Sequence, residues 1–295
     1  MYRRWLWPAL ALPGVLWLVL LFVVPFYAVL AVAFGKVDPI LFQPVPIWNP
    51  LAWNVGWLSE VLSRLAPGGI WFDVGVRTIV YVLVSLALCL LIGYPVAYYA
   101  ARHAGRWKGV VLILIILPLW ISYMMRMLAW VNLLQLNGWV NQVLMFTHVL
   151  SQPRDWLGGS ASTVILALVY GYIPYLILVL YAGLDRIDPA LIEAGRDLGL
   201  GRIRTFLRVT LPMSRQPILT GMLITVLPML GDYYTNQLLS GTTGTTMLGN
   251  VINNQLSTPG LQGEGAVFSL FFLLALIIPM IYYVVRTNRT SREAM

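Results

Sequence analysis

Apolar and polar positions alternate along this chain in long blocks, not at the short periods of a soluble helix or strand. From Trp5 to Gly35 no charged residue occurs, a run long enough for one spanning helix. Arg3 and Arg4 precede it, Trp5 and Trp7 fall where amphipathic rings favour the interface, and Pro13 and Pro25 are tolerated inside. Further apolar blocks predict spans at about 78–101, 110–133, 163–183, 213–234 and 266–285. Gly93-Tyr94-Pro95 marks a kink near the end of the second.

The blocks between them differ in kind. Residues 36–75, rich in Pro, Gly and Trp, predict an extramembrane loop with a short amphipathic helix near Trp57 to Leu65. Its tryptophans rest on the membrane surface or, as the second reading, form an aromatic ligand cluster. Residues 135–160 read as a polar, irregular loop and residues 235–265 as a polar, nearly uncharged one. Residues 184–212 are a charge-rich island, carrying Glu193, Arg196, Asp197, Arg202, Arg204 and Arg208 between two apolar spans.

Composition agrees with the pattern. Only 10% of the 295 residues are charged and 59% are hydrophobic, against about 25% charged in soluble domains. Roughly six spans of ~20 residues and their loops fit this length. The formal charge of +8 does not point to nucleic acid, because the arginines border apolar runs. One side holds Arg3, Arg4, Arg102, Arg106, Lys108, Arg186, Arg196, Arg202, Arg204, Arg208, Arg215, Arg286, Arg289 and Arg292; the other holds Lys36, Arg64, Arg77 and Arg154. The first side, with both termini and the island, is therefore expected in the cytoplasm. The single cysteine, Cys89, lies in an apolar run, which excludes disulfides and thiol metal sites. No cleavable signal peptide is expected.

No P-loop of the form G-x-x-x-x-G-K-S/T occurs, so ATP is not expected on this chain. His103 and His148 are predicted on opposite faces of the membrane, and no catalytic cluster appears. Only Arg126 and Asp232 are predicted at membrane depth, where charges usually face a bundle interior or a water-filled cavity. Trp120, Tyr123, Met127 and Trp130 form a helical stripe beside Arg126. A translocation path lined by Trp120, Tyr123, Arg126, Asp232 and Tyr233 is one reading; a structural Arg126–Asp232 ion pair or interfacial snorkelling is the other.

The island has a local design. Asp188 as N-cap with Pro189 at the first helical position starts a helix over 189–198. Gly199 and Gly201 allow a sharp turn, and residues 203–210 give a second short basic helix before Pro212 starts the next span. Ala190, Glu193, Ala194 and Asp197 share one face, suited to docking on a cationic partner; an amphipathic loop lying on anionic lipid is the alternative.

Glu193-Ala194-Gly195, Gly199 and Val209-x-Leu211-Pro212 resemble, in residue type and spacing, the EAA loop of binding-protein-dependent ABC importer permeases. Gly195 stands for the second Ala and Val209 for Ile; the glycine costs a helix up to ~1 kcal/mol relative to Ala. Leu117-Pro118-Leu119-Trp120 with Arg126 and Ala129-Trp130, Asn137-Gly138 with Asn141-Gln142, Ile187-Asp188-Pro189, Gly231-Asp232-Tyr233 and Met247-Leu248-Gly249-Asn250 are similar to the spermidine/putrescine permease branch. The resemblance covers the chain from about Thr78 to the sixth span and is loose before that.

It implies an all-α polytopic membrane protein of about six transmembrane helices with the type I ABC importer permease (MetI-like) fold. The division would be 1–75, a first helix plus outer loop; 76–286, a five-helix core including the cytoplasmic EAA loop at 184–212; and 287–295, a cytoplasmic tail. ATPase coupling would fall to Ala190, Glu193, Ala194, Gly195, Asp197, Gly199, Leu211 and Pro212. Two ATPase subunits binding ATP and Mg, a second permease of different sequence and an external substrate-binding protein would be partners in a bacterial inner membrane, with no cofactor on this chain. A polyamine is the expected cargo. A stand-alone ion-coupled transporter is the alternative, and a polytopic membrane enzyme a more distant one.

Overall fold

The computed structural model describes residues 6–293, so the expectations on Arg3, Arg4 and Trp5 and on the extreme termini lie outside the described residues. Helix α1 (Leu6–Ala33) runs without a break through both prolines, and only 6% of its most apolar window is buried, as lipid contact requires. A two-residue antiparallel pair, β1 (Lys36–Val37) and β2 (Pro44–Val45), follows, then α2 (Gly56–Leu65), which falls where the amphipathic helix is predicted. Helix α3 (Ile70–Arg102) keeps Pro95 inside. Helices α4 (Lys108–Ile116), α5 (Tyr123–Leu134), α6 (Trp139–Phe146) and α7 (Ala161–Asp185) come next. The island contributes α8 (Pro189–Asp197), α9 (Arg202–Thr205) and α10 (Leu211–Met213). Helices α11 (Arg215–Leu230), α12 (Tyr234–Leu239), α13 (Leu248–Ser257) and α14 (Gln262–Glu293) complete the described chain.

Among the described residues three helices are long and apolar enough to cross a membrane, a bent pair makes a fourth if it is one span, and α11 and the first part of α14 are shorter apolar helices. The third span corrects the prediction of one helix over 110–133. It is bent by 91° between Gly105–Trp120 and Tyr123–Leu134. Pro118 tightens Leu117–Trp120 into a 3-10 turn, Ile121 is extended (φ −90°, ψ 134°), and Ser122 caps α5 by accepting the Met125 N–H at 3.3 Å. The fifth span stops at Leu230 instead of Tyr234, because Gly231 and Asp232 break the helix. Pro212 does not start it either: the island runs through a π turn at Phe206–Thr210 and α10, and α11 begins after Ser214. Pro212 has no N–H for the carbonyl of Arg208, which accounts for a widened turn there. The loop predicted as irregular at 135–160 contains α6, and the polar stretch around 235–265 contains α12 and α13.

Contacts divide the chain into two compact units, Met1–Phe72 with Val251–Met295, and Asp73–Asn250. In the first, α14 packs on α1 and α2. Arg64 of α2 reaches Glu264 at the start of α14 and Glu60 one turn back, each at 2.7 Å. Trp71 stacks on Phe268 with ring centroids 4.6 Å apart. Trp53 stacks on Phe34 at 4.9 Å and donates its ring N–H to the Ile47 carbonyl, so that loop tryptophan serves packing. In the second unit α7 is the central helix, with Leu168, Leu176, Leu180 and Leu184 fully buried, and its most extensive pairing is with α11. A Cβ on Gly183 would lie 2.2 Å from Pro217, and one on Gly221 2.7 Å from Leu176, so these glycines set how closely α7 and α11 approach. Cys89 is buried against the Val169 carbonyl at 3.8 Å, a packed residue.

Candidate functional site

The island is built as its sequence suggests at one end and differently at the other. Asp188 accepts the Ala190 N–H at 2.9 Å and Pro189 occupies the first position of α8. The helix closes on Gly199, whose φ is +84°. There the Gly199 N–H reaches the Arg196 carbonyl at 2.9 Å and the Leu200 N–H the Gly195 carbonyl at 3.1 Å, a Schellman closure. Gly199 therefore needs the left-handed conformation. Gly201 does not: it is the extended N-cap of α9 (φ −64°). Gly195 is buried, and a Cβ there would find Val209 at 3.4 Å and Thr205 at 3.5 Å, ordinary contact for the alanine that the EAA pattern carries.

Ala190, Glu193, Ala194, Asp197 and Gly199 are all exposed, whereas Leu211 and Pro212 are half-buried. Among the described residues Glu193 makes no ion pair. Leu198, the C-cap of α8, and Ile203 of α9 are 84% and 76% exposed, so the island presents apolar side chains beside its charges, a surface suited to a partner.

Sequence reasoning missed how the island is fastened. Arg102, read only as part of a basic turn, gives its Nη2 to the carbonyls of Leu184 (2.8 Å) and Ile187 (2.5 Å), satisfying the end of α7 immediately before α8. Lys108 meets Asp185 at 2.8 Å. An arginine that closes one span and a lysine that opens the next are one signal of such capping, but sequence does not say which helix end they reach.

The second assembly lies inside the core. Asp232, 5% exposed, accepts at Oδ2 from the hydroxyls of Tyr123 (2.5 Å), Thr235 (2.5 Å) and Tyr172 (3.1 Å). Its Oδ1 takes the Thr235 N–H at 3.0 Å. Four donors stabilise a buried carboxylate with no cation against it. Arg126, 4% exposed, lies with its guanidinium carbon 5.3 Å from the Tyr123 ring centroid, and its Nη1 reaches the Gly171 carbonyl at 3.4 Å. Its Nε has no partner. Arg126 and Asp232 thus make no direct ion pair among the described residues, and burial excludes snorkelling; both readings are corrected. They share Tyr123 instead.

Of the five residues read as path-lining, the structure brings together Tyr123, Arg126 and Asp232. Trp120 is 79% exposed on the far side of the 91° break, which removes it from the stripe with Tyr123, Met127 and Trp130. Tyr233 stacks on Tyr234 at 4.1 Å and takes no part in the cluster. Tyr172 and Thr235, which the sequence did not single out, complete it. Gly171 makes room, since a Cβ there would sit 2.7 Å from the Tyr123 ring. Gly249 does the same for the Asp232 turn, where a Cβ would meet the Gly231 carbonyl at 2.6 Å. Asn250 holds that turn by donating to the Tyr233 carbonyl at 2.8 Å and accepting the Met247 N–H at 3.1 Å. Asn141 plays the same part in the segment between α5 and α7, bonding Gln135, Leu136, Arg154 and Trp156 while fully buried.

No group of His, Cys, Asp and Glu able to hold a metal occurs among the described residues.

Comparison with known proteins agrees with this geometry. Residues 93–292 match the family described as binding-protein-dependent transport system inner membrane component. The spermidine/putrescine transport system permease protein PotB of Haemophilus influenzae is 32% identical over 283 residues, covering 92% of this chain and 91% of that protein. PotB of Escherichia coli is 28% identical over 214 residues, covering 72% and 77%. A solved bacterial alginate ABC transporter, in complex with an alginate pentasaccharide-bound periplasmic protein, matches 98% of this chain and 96% of its own with a TM-score of 0.67 at 17% identity, a likeness of fold.

Proposed function

This chain belongs to the family of binding-protein-dependent transport system inner membrane components, and we propose that it carries polyamines or a related small amine within an ATP-driven importer. It is a permease subunit, a multi-pass protein of a bacterial inner membrane, and not an enzyme. The polyamine assignment is supported by the PotB relatives, both spermidine/putrescine permeases by name. Two ATPase subunits that bind ATP and Mg, a second permease of different sequence and an external binding protein complete the complex we propose. Both termini and the island then face the cytoplasm, as the distribution of Lys and Arg supports.

In this reading α8 is the coupling helix. Glu193 meets a cationic side chain of an ATPase, with Ala190, Ala194 and Asp197 on the same face, and the Gly199 closure folds α9 back. Closure of the ATPases on ATP pushes α8. The push passes along the chain into α7, whose end the Arg102 contacts tie to α3, and into α11 through Leu211 and Pro212. Because α7 and α11 are in close contact, a displacement at the island moves them as a pair. Asp232 and the ring of Tyr123 supply an anion and a π face for an amine in the path. Arg126 lies against the same ring.

The observation that carries the coupling role is the exposed, doubly capped α8 between the two most closely packed spans. Glu193→Ala should weaken ATPase co-purification and lower uptake while the external binding protein still captures its ligand. Unchanged co-purification and uptake would remove the assignment.

A further inference from the structure

One cavity in the Asp73–Asn250 unit lies apart from the buried carboxylate cluster. It has a volume of about 470 Å³ and opens between α7 and α11, lined by Val179, Gly183, Arg186, Met213, Gln216 and Pro217 among others. Arg186 and Gln216 are exposed at its rim, and Met213 is 44% exposed, so it opens to the surface of the chain. From Val179 to Arg186 the wall descends seven residues along α7, ~10 Å at 1.5 Å per residue. Its polar rim therefore lies at the end of a span and its apolar floor about two turns into the membrane.

The charge of the cavity is defined by what is missing from its lining. Arg186 contributes a cation and no Asp or Glu lines the walls. The neighbouring acid, Asp185, is engaged by Lys108 at 2.8 Å and does not neutralise Arg186. Arg186 itself has no ion-pair partner among the described residues. A cationic cargo is repelled there, whereas an anion with an apolar tail matches both rim and floor. Basic pockets between spans on the cytoplasmic side suit anionic lipid head groups.

We propose that this cavity binds an anionic phospholipid of the cytoplasmic leaflet, its phosphate on Arg186 and an acyl chain against Val179, Met213 and Pro217. The leaflet rests on the orientation given under the proposed function. The site touches the chain immediately before α8 and immediately after α10, so an occupant bridges both ends of the coupling loop. A bound lipid thereby stiffens the frame through which α8 is pushed.

The test uses the assembled importer in nanodiscs made from equal parts phosphatidylglycerol and phosphatidylethanolamine, with retained lipid counted by native mass spectrometry. The wild type should retain phosphatidylglycerol in preference. Arg186→Gln should lower that retention about fivefold, the worth of one basic residue near an anionic surface. Val179→Trp, which fills the floor and keeps the charge, should lower it too, whereas Arg106→Gln, a basic residue of the same side outside the cavity, should leave it unchanged. Wild-type retention in both cavity variants would overturn the proposal. So would complete displacement by inorganic phosphate, which needs no apolar floor, or loss of a subunit in place of lipid from Arg186→Gln. Labelling a Leu198→Cys variant with a membrane-impermeant reagent from either side reports orientation separately, since Cys89 is buried. External labelling would move the site to the other leaflet without touching the lipid count.

Discussion

The hydroxyl of Tyr123 stands 2.5 Å from the carboxylate of Asp232, joining the first residue of α5 to the turn that ends α11. Tyr123 follows directly on the 91° break in the third span, so the bond ties a bend in one helix to a break in another. The face of the same ring meets Arg126. One side chain therefore mediates between the buried charges of Arg126 and Asp232.

Tyr123→Phe keeps the ring under Arg126 and removes one of four donors to Asp232. Losing a hydrogen bond to a buried charge costs about 1.5–3 kcal/mol, so the thermal unfolding midpoint of the assembled complex should fall and uptake should drop several-fold. Asp232→Asn should also reduce uptake while the complex still assembles. Normal transport in both variants would reduce the cluster to packing.

Gly171→Ala introduces a Cβ that would stand 2.7 Å from the Tyr123 ring. The ring must then move off α7, and transport should fall to the level of Tyr123→Phe or below while α7 itself remains helical. Full activity would mean that Tyr123 is free to relocate, which an uptake assay in proteoliposomes decides.

On the island two glycines should behave in opposite ways. Gly195→Ala restores the EAA pattern, meets only ordinary contacts and should stabilise α8 by about 0.5–1 kcal/mol with uptake intact. Gly199→Ala must adopt φ near +84° and should cost about 1 kcal/mol or more, with weaker ATPase co-purification. Equal outcomes would contradict the Schellman closure as the device that shapes the loop.

Arg102→Ala removes both carbonyl contacts at the end of α7. ATP hydrolysis by the reconstituted complex should persist while transport per ATP falls. Lys108→Ala breaks a solvent-screened surface pair and should be nearly silent. Parallel loss of hydrolysis and transport in Arg102→Ala would indicate simple misassembly.

The spans and the Asp188-Pro189 helix start were legible because each rests on local chemistry: uncharged runs long enough for lipid, and a capping pair at adjacent positions. The break in the third span was not. Pro118 sits in an apolar run where prolines usually pass without consequence, as Pro13 and Pro25 do in α1, and only Ser122 capping a new helix separates the two cases. Arg126 and Asp232 stood out by charge alone, yet their partners did not. Tyr172 and Thr235 are ordinary residues within apolar or polar runs, and what makes them ligands of Asp232 is tertiary packing around Gly171 and Gly249. The same holds for Arg102, whose charge marks a membrane face while its role depends on which helix end it reaches.

The most direct test of the transport assignment is ATP hydrolysis by the reconstituted complex of this chain, its partner permease and ATPases, with the external binding protein added with and without spermidine or putrescine. The loaded binding protein should stimulate hydrolysis and drive amine uptake, and neither should occur without the ATPase subunits. Amine accumulation by this chain alone on an ion gradient, or hydrolysis indifferent to the loaded binding protein, would contradict it.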